Sequence, residues 1–350
     1  MAGVTYKCPN CGAYLTFDPD SQQWKCPFCS SAFPESELKG KAEAFQKEAE
    51  KEAKEPSSGA QVVYHCPSCG SEIMTDETTV ATHCYYCHSP VVLQGKLTAD
   101  MKPDEVLPFT IGKEKAIEEI TEWIRTRKFV PKKFFSKAQI QEMSGVYYPH
   151  FVSECQTEGV LDGEATTSDV FDEGKYVVTN TRHYHVRREG RFVFKDILRP
   201  ALSKANRKLT EGVHPFPLEN AKPFSGAFLS GFLAERRDLE ADSYRQEIEQ
   251  ELQGYMNSML RDTASQYQTC SANTTAAVKK IKTKYVLLPT WVLTYPNKKN
   301  KDEPYYYVMN GCTGQVCGKL PVDMGRLWRH GLLIGLTVAA VFCALAYFLF

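Results

Sequence analysis

Apolar side chains recur at helical spacing in residues 113–129, where Ala116, Ile120 and Trp123 would share one face and Lys and Glu side chains the other. This pattern predicts a helix that packs on a sheet, and residues 238–268 predict a second, more polar helix. β-Branched and aromatic residues predict strands at 146–152, 175–186, 191–194, 285–295 and 305–310, with a turn at 188–190. Strands separated by a few helices are typical of an α+β domain with an antiparallel sheet, which we place at residues 97–330.

The last twenty residues, Gly331–Phe350, contain no charged side chain and no polar stripe. A helix of this length spans about 30 Å, the hydrocarbon thickness of a bilayer. We therefore predict a transmembrane tail anchor at 331–350, and a buried core helix is the alternative. The N-terminal flank of this segment contains three basic residues, Lys319, Arg326 and Arg329, and one acidic residue, Asp323. The first residues of the chain lack the apolar run of a signal peptide. The positive-inside rule then predicts a single-pass protein of the cell membrane with a cytoplasmic N-terminus.

A cysteine pattern occurs twice, with identical spacings displaced by 58 residues. The two sets are Cys8-x2-Cys11-x14-Cys26-x2-Cys29 and Cys66-x2-Cys69-x14-Cys84-x2-Cys87. Each Cys-x2-Cys can form a tight turn that directs two thiolates at one point, and the spacer allows a second turn to lie opposite. The pattern predicts two zinc ribbons, at residues 1–34 and 61–96, each with one structural Zn²⁺ held by four sulfur atoms.

Alternatives to this metal assignment are few. Iron satisfies the same four-sulfur geometry, and His65, His83 or His88 could replace a thiolate, although four cysteines already complete each set. Disulfides are disfavoured in a reducing compartment. Four-sulfur coordination leaves no open position for a substrate, so a catalytic metal is not expected.

Residues 35–60 connect the two ribbons. Between Glu35 and Glu55 they contain seven Glu and five Lys, followed by Pro56-Ser57-Ser58-Gly59. The Glu/Lys spacing predicts a solvated helical linker ending in a flexible joint. A thin apolar stripe that includes Leu38 and Phe45 leaves open the alternative that the linker packs on the main domain.

Composition and charge narrow the range of partners. The 350 residues include 42 Lys+Arg and 42 Asp+Glu, so no global attraction to polyanions is expected. Both ribbons are slightly acidic, which favours protein contacts over phosphate contacts, and Trp24, Phe28, Tyr85 and Tyr86 are their candidate exposed contact residues. A local stretch, Arg182 to Lys208, carries a net charge of +7 with interleaved aromatic residues. It predicts anionic lipid or nucleic acid binding, unless acidic residues elsewhere in the fold balance it.

No common catalytic motif is present in the sequence. Gly311–Lys319 resembles a phosphate-binding loop but has the wrong glycine spacing, and Leu320 replaces the Ser or Thr that would hold Mg²⁺. Cys155 with His150, His183 with His185, and Cys312 with Cys317 are pairs with possible chemistry, for which buried or solvated structural roles are favoured. The protein is therefore predicted not to be an enzyme.

Three further motifs accompany the paired cysteine sets. They are Gly145-Val146-Tyr147-Tyr148-Pro149, Tyr285–Trp291 and Tyr307–Pro321. Together they resemble the bacterial TFIIB-type zinc-ribbon-containing membrane proteins, over nearly the whole chain. Members are often labelled primosomal or helicase-like, but this chain has no helicase motif. His150-Phe151 and Cys312 depart from the family pattern.

The association of some relatives with phage-shock-type and SPFH membrane-stress proteins implies a membrane-tethered adaptor. We expect a cytosol-facing scaffold whose ribbons recruit a protein. The alternative is a nucleic-acid-binding factor of replication or transcription that acts near the membrane.

Overall fold

The computed structural model describes residues 6–38, 61–65, 72–76, 78–83, 90–92, 101–131, 143–295, 305–318 and 320–349. The strands are β1 (Thr16–Asp18), β2 (Gln23–Lys25), β3 (Ala32–Phe33), β4 (Gln61–His65), β5 (Glu72–Asp76), β6 (Thr79–His83), β7 (Pro90–Val92), β8 (Glu105–Val106), β9 (Ser144–Glu173), β10 (Tyr176–Pro200), β11 (Lys222–Pro223), β12 (Leu233–Glu235), β13 (Thr269–Tyr295), β14 (Tyr305–Asn310) and β15 (Val316–Gly318). The helices are α1 (Lys113–Arg125), α2 (Arg207–Glu211), α3 (Arg245–Asp262) and α4 (Met324–Leu349).

One large sheet organises the domain. Its strands follow the order β11-β8-β13-β9-β12-β6-β7, and β10, β14 and β15 extend it from β9, β13 and β14. Pairing is antiparallel except between β8 and β13 and between β9 and β12. The α+β class and the antiparallel-rich sheet predicted from the sequence are confirmed. The hairpin of β6 and β7, which belongs to the predicted second ribbon, joins this sheet through β12.

Three long strands, β9, β10 and β13, run side by side and form most of the sheet. The predicted strand at 146–152 continues to Glu173, and the predicted turn at 188–190 is wrong, because Arg188, Glu189 and Gly190 pair with β9 in unbroken register. The chain instead turns at Gly174 and Lys175. Glycine and charge within 188–190 indicated a turn locally, whereas pairing along the full length of β9 keeps those residues extended.

Helix α3 packs on one face of these strands and comes close to Gly159 of β9. Ile248, Leu252, Met256 and Leu260 recur every four residues and are buried on the sheet. A Cβ atom at Gly159 would lie 2.9 Å from Leu260 Cδ1, so a larger residue there would require the Leu260 side chain to shift. The predicted helix at 238–268 is thus shortened to 245–262, preceded by a 3₁₀ turn at Ala241–Tyr244.

The first ribbon packs directly against the α+β domain. Trp24 is buried there against Phe17 and Phe228, and its indole N–H donates a hydrogen bond of 3.0 Å to the carbonyl oxygen of Ala227. The expectation that Trp24 is an exposed contact residue was therefore wrong, because the domain itself occupies that face of the ribbon. Residues 35–38 are helical and Leu38 is buried in the same core, whereas residues 39–60 of the predicted linker lie outside the described residues.

Helix α4 is long and apolar enough to cross a membrane, and no residue of its stretch Met324–Cys343 is buried. Its 26 residues correspond to about 39 Å, longer than the predicted 331–350 segment because the helix begins before the apolar run. Its start is attached to the segment that follows α1. The backbone N–H of Asp323 donates to the carbonyl oxygen of Phe129 (2.7 Å), and the Arg326 guanidinium donates to that of Val130 (3.4 Å).

Candidate metal centre and adjoining groove

The four cysteines of the first ribbon converge on one point. The sulfur atoms of Cys8 and Cys29 lie 3.5 Å apart, those of Cys11 and Cys26 lie 3.4 Å apart, and all four lie within 4.8 Å of one another. Four sulfurs bound to one zinc ion at about 2.3 Å would lie about 3.8 Å apart. The cluster therefore has the size and donor set to hold one metal ion of tetrahedral preference.

Two matching turns create this convergence. In the first, the backbone N–H of Cys8 donates to the Ala13 carbonyl oxygen (2.7 Å) and that of Gly12 donates to the Cys8 carbonyl oxygen (2.9 Å). In the second, the N–H of Cys26 donates to the Ser31 carbonyl oxygen (2.8 Å) and that of Ser30 to the Cys26 carbonyl oxygen (2.9 Å). The residue after the second cysteine has a positive φ in both turns, 76° at Gly12 and 58° at Ser30. Glycine is favoured at such a position, as the sequence indicated for Gly12.

The electrostatics of the cluster favour a bound cation. Hydrogen bonds with the side chain and backbone of Ser31 lower the pKa of Cys29 to about 6. A backbone hydrogen bond from Ala13 lowers the pKa of Cys11, but hydrogen bonds with the other three sulfur atoms, together with burial, outweigh it and raise that pKa to about 12. Thiolates this close repel one another, and a divalent cation at their centre removes the repulsion. A metal with these four sulfur ligands would have no open position, so it would serve to hold the two turns together.

The predicted second set of ligands, Cys66, Cys69, Cys84 and Cys87, lies outside the described residues, as do Tyr85 and Tyr86. The strands around these cysteines are described, and they repeat the register of the first ribbon. In the first ribbon the residue before the first cysteine of each Cys-x2-Cys pairs with the residue three positions after the second cysteine. Lys7 thus pairs with Tyr14, and Lys25 with Ala32. In the second segment His65 pairs with Glu72 and His83 with Pro90, at the same offsets.

A groove of about 670 Å³ lies between part of the first ribbon and the domain. Its walls come from the ribbon, from His83 of β6, from the start of α1 and from the beginning of β9. Phe28, which lies between Cys26 and Cys29, is 76% exposed and lines it, so this expected contact residue is indeed available. The groove is large enough to accept side chains of a partner.

Polar contacts from two residues fix the ribbon beside the groove. The Asp20 carboxylate accepts a hydrogen bond of 3.1 Å from the backbone N–H of Gly112 at the start of α1. The Ser230 hydroxyl donates to the carbonyl oxygen of Leu15, and the Ser230 carbonyl oxygen accepts from the N–H of Phe17 (2.9 Å). Asp20 and Ser230 could not be identified from the sequence, because nothing in their local sequence indicates a contact with a distant segment.

Acidic partners compensate much of the basic stretch Arg182 to Lys208. Six of its nine basic residues form ion pairs, three of them with carboxylates of β9. Arg182 pairs with Asp169, Arg187 with Asp162 and Glu189, and Arg191 with Glu158. These pairs lower the attraction for phosphate groups, so the binding of nucleic acid or anionic lipid by this stretch stays a prediction.

The candidate catalytic pairs are not assembled. His150 and Cys155 are five residues apart on one extended strand, so they lie on opposite faces of the sheet and about 17 Å apart. His185 contacts the Asp162 carboxylate (3.2 Å), and neither His183 nor His185 has a metal-binding cluster around it in the described part of the chain. Likewise, Cys312 and Cys317 belong to no such cluster there.

The structure thus combines an α+β fold with a four-cysteine cluster and an apolar C-terminal helix. Comparison with known proteins finds a match over nearly the whole chain, to a Bacillus subtilis (strain 168) protein described as uncharacterized protein YdjG. It is 28% identical over 339 residues, 96% of each chain. No family model and no solved structure matches. The resemblance to the TFIIB-type zinc-ribbon membrane proteins therefore stays a prediction.

Replacing Cys26 with Ser tests the cluster. We expect Cys26→Ser to lower the metal content of the purified full-length protein by about one ion per chain, because three thiolates bind a structural metal far less tightly than four. Elemental analysis after gel filtration measures this. Cys270→Ser, a half-buried cysteine on β13, is the matched control and should keep the wild-type content. Equal metal contents in the two variants would contradict the assignment.

The buried imidazole of His150 predicts a pH-dependent stability. Burial lowers the pKa of His150 to about 4, while a hydrogen bond with the Tyr148 carbonyl oxygen opposes this shift and His214 adds to it. In the unfolded chain the pKa is about 6.5, so between pH 6.5 and 4 the unfolded state binds the extra proton. The free energy of unfolding should therefore fall by about 3 kcal/mol over this interval as pH is lowered.

Urea unfolding at several pH values, compared between wild type and His150→Leu, measures this contribution. Any loss of metal from the cysteine cluster at low pH is common to both proteins and cancels in the comparison. We expect a shallower pH slope in the variant. Parallel slopes would show that His150 is not the group responsible.

Proposed function

We propose that the protein is a membrane-anchored scaffold with two zinc ribbons, which face the cytosol and recruit a protein partner. The observation that carries the proposal is Phe28, an exposed aromatic side chain held between two metal-cluster cysteines and lining the groove beside the ribbon. Aromatic side chains presented on a rigid frame are typical centres of protein interfaces. The closed four-sulfur cluster supports a structural and not a catalytic metal.

The second zinc site rests on strand register. The residues that flank all four Cys-x2-Cys segments are paired at the same offsets, those of the hairpins of the first ribbon, and this supports a second site built like the first. Hairpins of this kind direct two sulfurs beyond their last strand pair, as the first ribbon does. Cys66, Cys69, Cys84 and Cys87 then form a second four-sulfur site, and the chain binds two zinc ions.

Helix α4 supplies the anchor in this proposal. Its exposed apolar surface is suited to lipid, and the basic residues Arg326 and Arg329 at its start favour the cytosolic side for the preceding domain. The resemblance to TFIIB-type zinc-ribbon membrane proteins adds a process, the response to membrane stress. The rival function, nucleic acid binding through Arg182 to Lys208, has weaker support because most of those cations are paired with carboxylates.

Affinity capture of the tagged full-length protein from detergent-solubilised membranes, with and without nuclease treatment, tests recruitment. Phe28→Ser should remove the captured partner, since truncation of a central interface aromatic costs about 2 kcal/mol or more, roughly a thirty-fold loss of affinity. Membrane fractionation of the variant should be unchanged. Tyr306→Ser, an exposed aromatic residue on β14, is the control and should capture the partner normally.

Partners that bind Phe28→Ser as well as wild type would overturn the role of the ribbon. A captured set consisting of nucleic-acid proteins that disappear with nuclease would support the rival function.

A further inference from the structure

The hairpin formed by the ends of β9 and β10 extends beyond the rest of the sheet. The third strand, β13, begins at Thr269 opposite Thr166. The Gln268 side chain ends it, accepting from the Ser168 N–H (2.5 Å) and donating to the Ser168 carbonyl oxygen (2.8 Å). Beyond this point residues 169–173 and 176–180 pair with each other, and no other described strand pairs with them. We call residues 169–180 the tip hairpin; it projects about 17 Å.

Large apolar side chains on the tip hairpin are exposed on both of its faces. Val170 and Val177 share one face and are 66% and 69% exposed. Phe171 and Tyr176 share the other and are 45% and 76% exposed. A two-stranded hairpin without further packing is marginally stable in water, and contiguous exposed apolar surface marks an interaction site. Because both faces are apolar, the matching surface is a cleft that encloses the hairpin.

The charge of the tip hairpin indicates what kind of partner surface it would bind. The tip hairpin carries three carboxylates, Asp169, Asp172 and Glu173, against Lys175 in the turn. Arg182 pairs with Asp169 (3.6 Å), which leaves Asp172 and Glu173 beside the apolar side chains. An anionic lipid surface repels these carboxylates, and a hydrocarbon interior makes their burial costly. A protein cleft with Lys or Arg at its rim satisfies both the charges and the apolar faces.

We propose that the tip hairpin docks into an apolar cleft with a basic rim on a partner protein. This surface is separate from the ribbon groove, because Gly145 in the groove and Val170 on the tip hairpin lie near opposite ends of β9. The scaffold thus has two contact surfaces, joined by the long strands of the sheet. The docking of the tip hairpin does not depend on the metal sites.

Site-specific photo-crosslinking of the full-length protein in its native membranes tests the proposal. A benzophenone amino acid replaces Tyr176 in one protein and Tyr306, exposed on β14, in the control. We expect a discrete protein adduct from position 176 and none of that mass from position 306. Mass spectrometry of the adduct should place the crosslink on an apolar surface that contains Lys or Arg.

Charge reversal separates docking from accidental contact. Asp172→Lys with Glu173→Lys should lower the adduct yield at least roughly tenfold, because the basic rim then repels the tip hairpin. The matched reversal on α1, Glu118→Lys with Glu122→Lys, should leave the yield unchanged. An adduct of two copies of this chain, an adduct to lipid, no adduct, or a yield insensitive to the tip reversal would each overturn the proposal. Loss of metal by Cys26→Ser should not affect this adduct, so failure here is distinguishable from failure of the ribbon.

Discussion

The Trp24 indole joins the cysteine cluster to the rest of the protein. Trp24 lies in β2, two residues before Cys26, contacts Tyr6 and Phe17 within the ribbon, and packs on Phe228 of the domain. A ribbon of about 30 residues cannot bury enough apolar surface to fold alone, so it depends on metal, on its neighbour, or on both. Burial of Trp24 couples the metal cluster to the domain. The sulfur cluster fixes the turn that positions the indole, and Phe228 of the domain packs against the indole.

The long strands convert this local attachment into an extended platform. Strand β9 begins at the ribbon groove and ends at the tip hairpin, with β13 beside it and α3 packed on one face. Ion pairs across β9 and β10, such as Arg191 with Glu158, leave the outer face soluble and charge-balanced. An apolar helix, α4, is attached by Asp323 to the segment that follows α1. The two contact surfaces that we propose lie at opposite ends of this sheet, in keeping with the proposed scaffold.

Local sequence signals predicted the elements that depend on local chemistry. The spacing of Cys8, Cys11, Cys26 and Cys29 anticipated the cluster, and the periodicity around Ile120 anticipated α1, because each pattern specifies its own geometry. The extension of β9 to Glu173 was not predictable, since the polar residues after Val152 become strand by pairing with β10 and, as far as Thr166, also with the distant strand β13. Trp24 likewise looked like a contact residue until the domain supplied Phe228. Residues 188–190 resembled a turn, and nonlocal pairing overrode that preference.

Hydrogen exchange of the detergent-solubilised full-length protein, with and without treatment with a metal chelator, tests the coupling of the cysteine cluster to the domain most directly. We expect loss of metal to deprotect the amides of the first ribbon at residues 14–33 and also those of the domain segment 226–232 that contacts Trp24. Amides of β13 at 285–293 should keep their protection. Exchange that is unchanged by metal removal, or that increases at the cysteine turns alone, would contradict it.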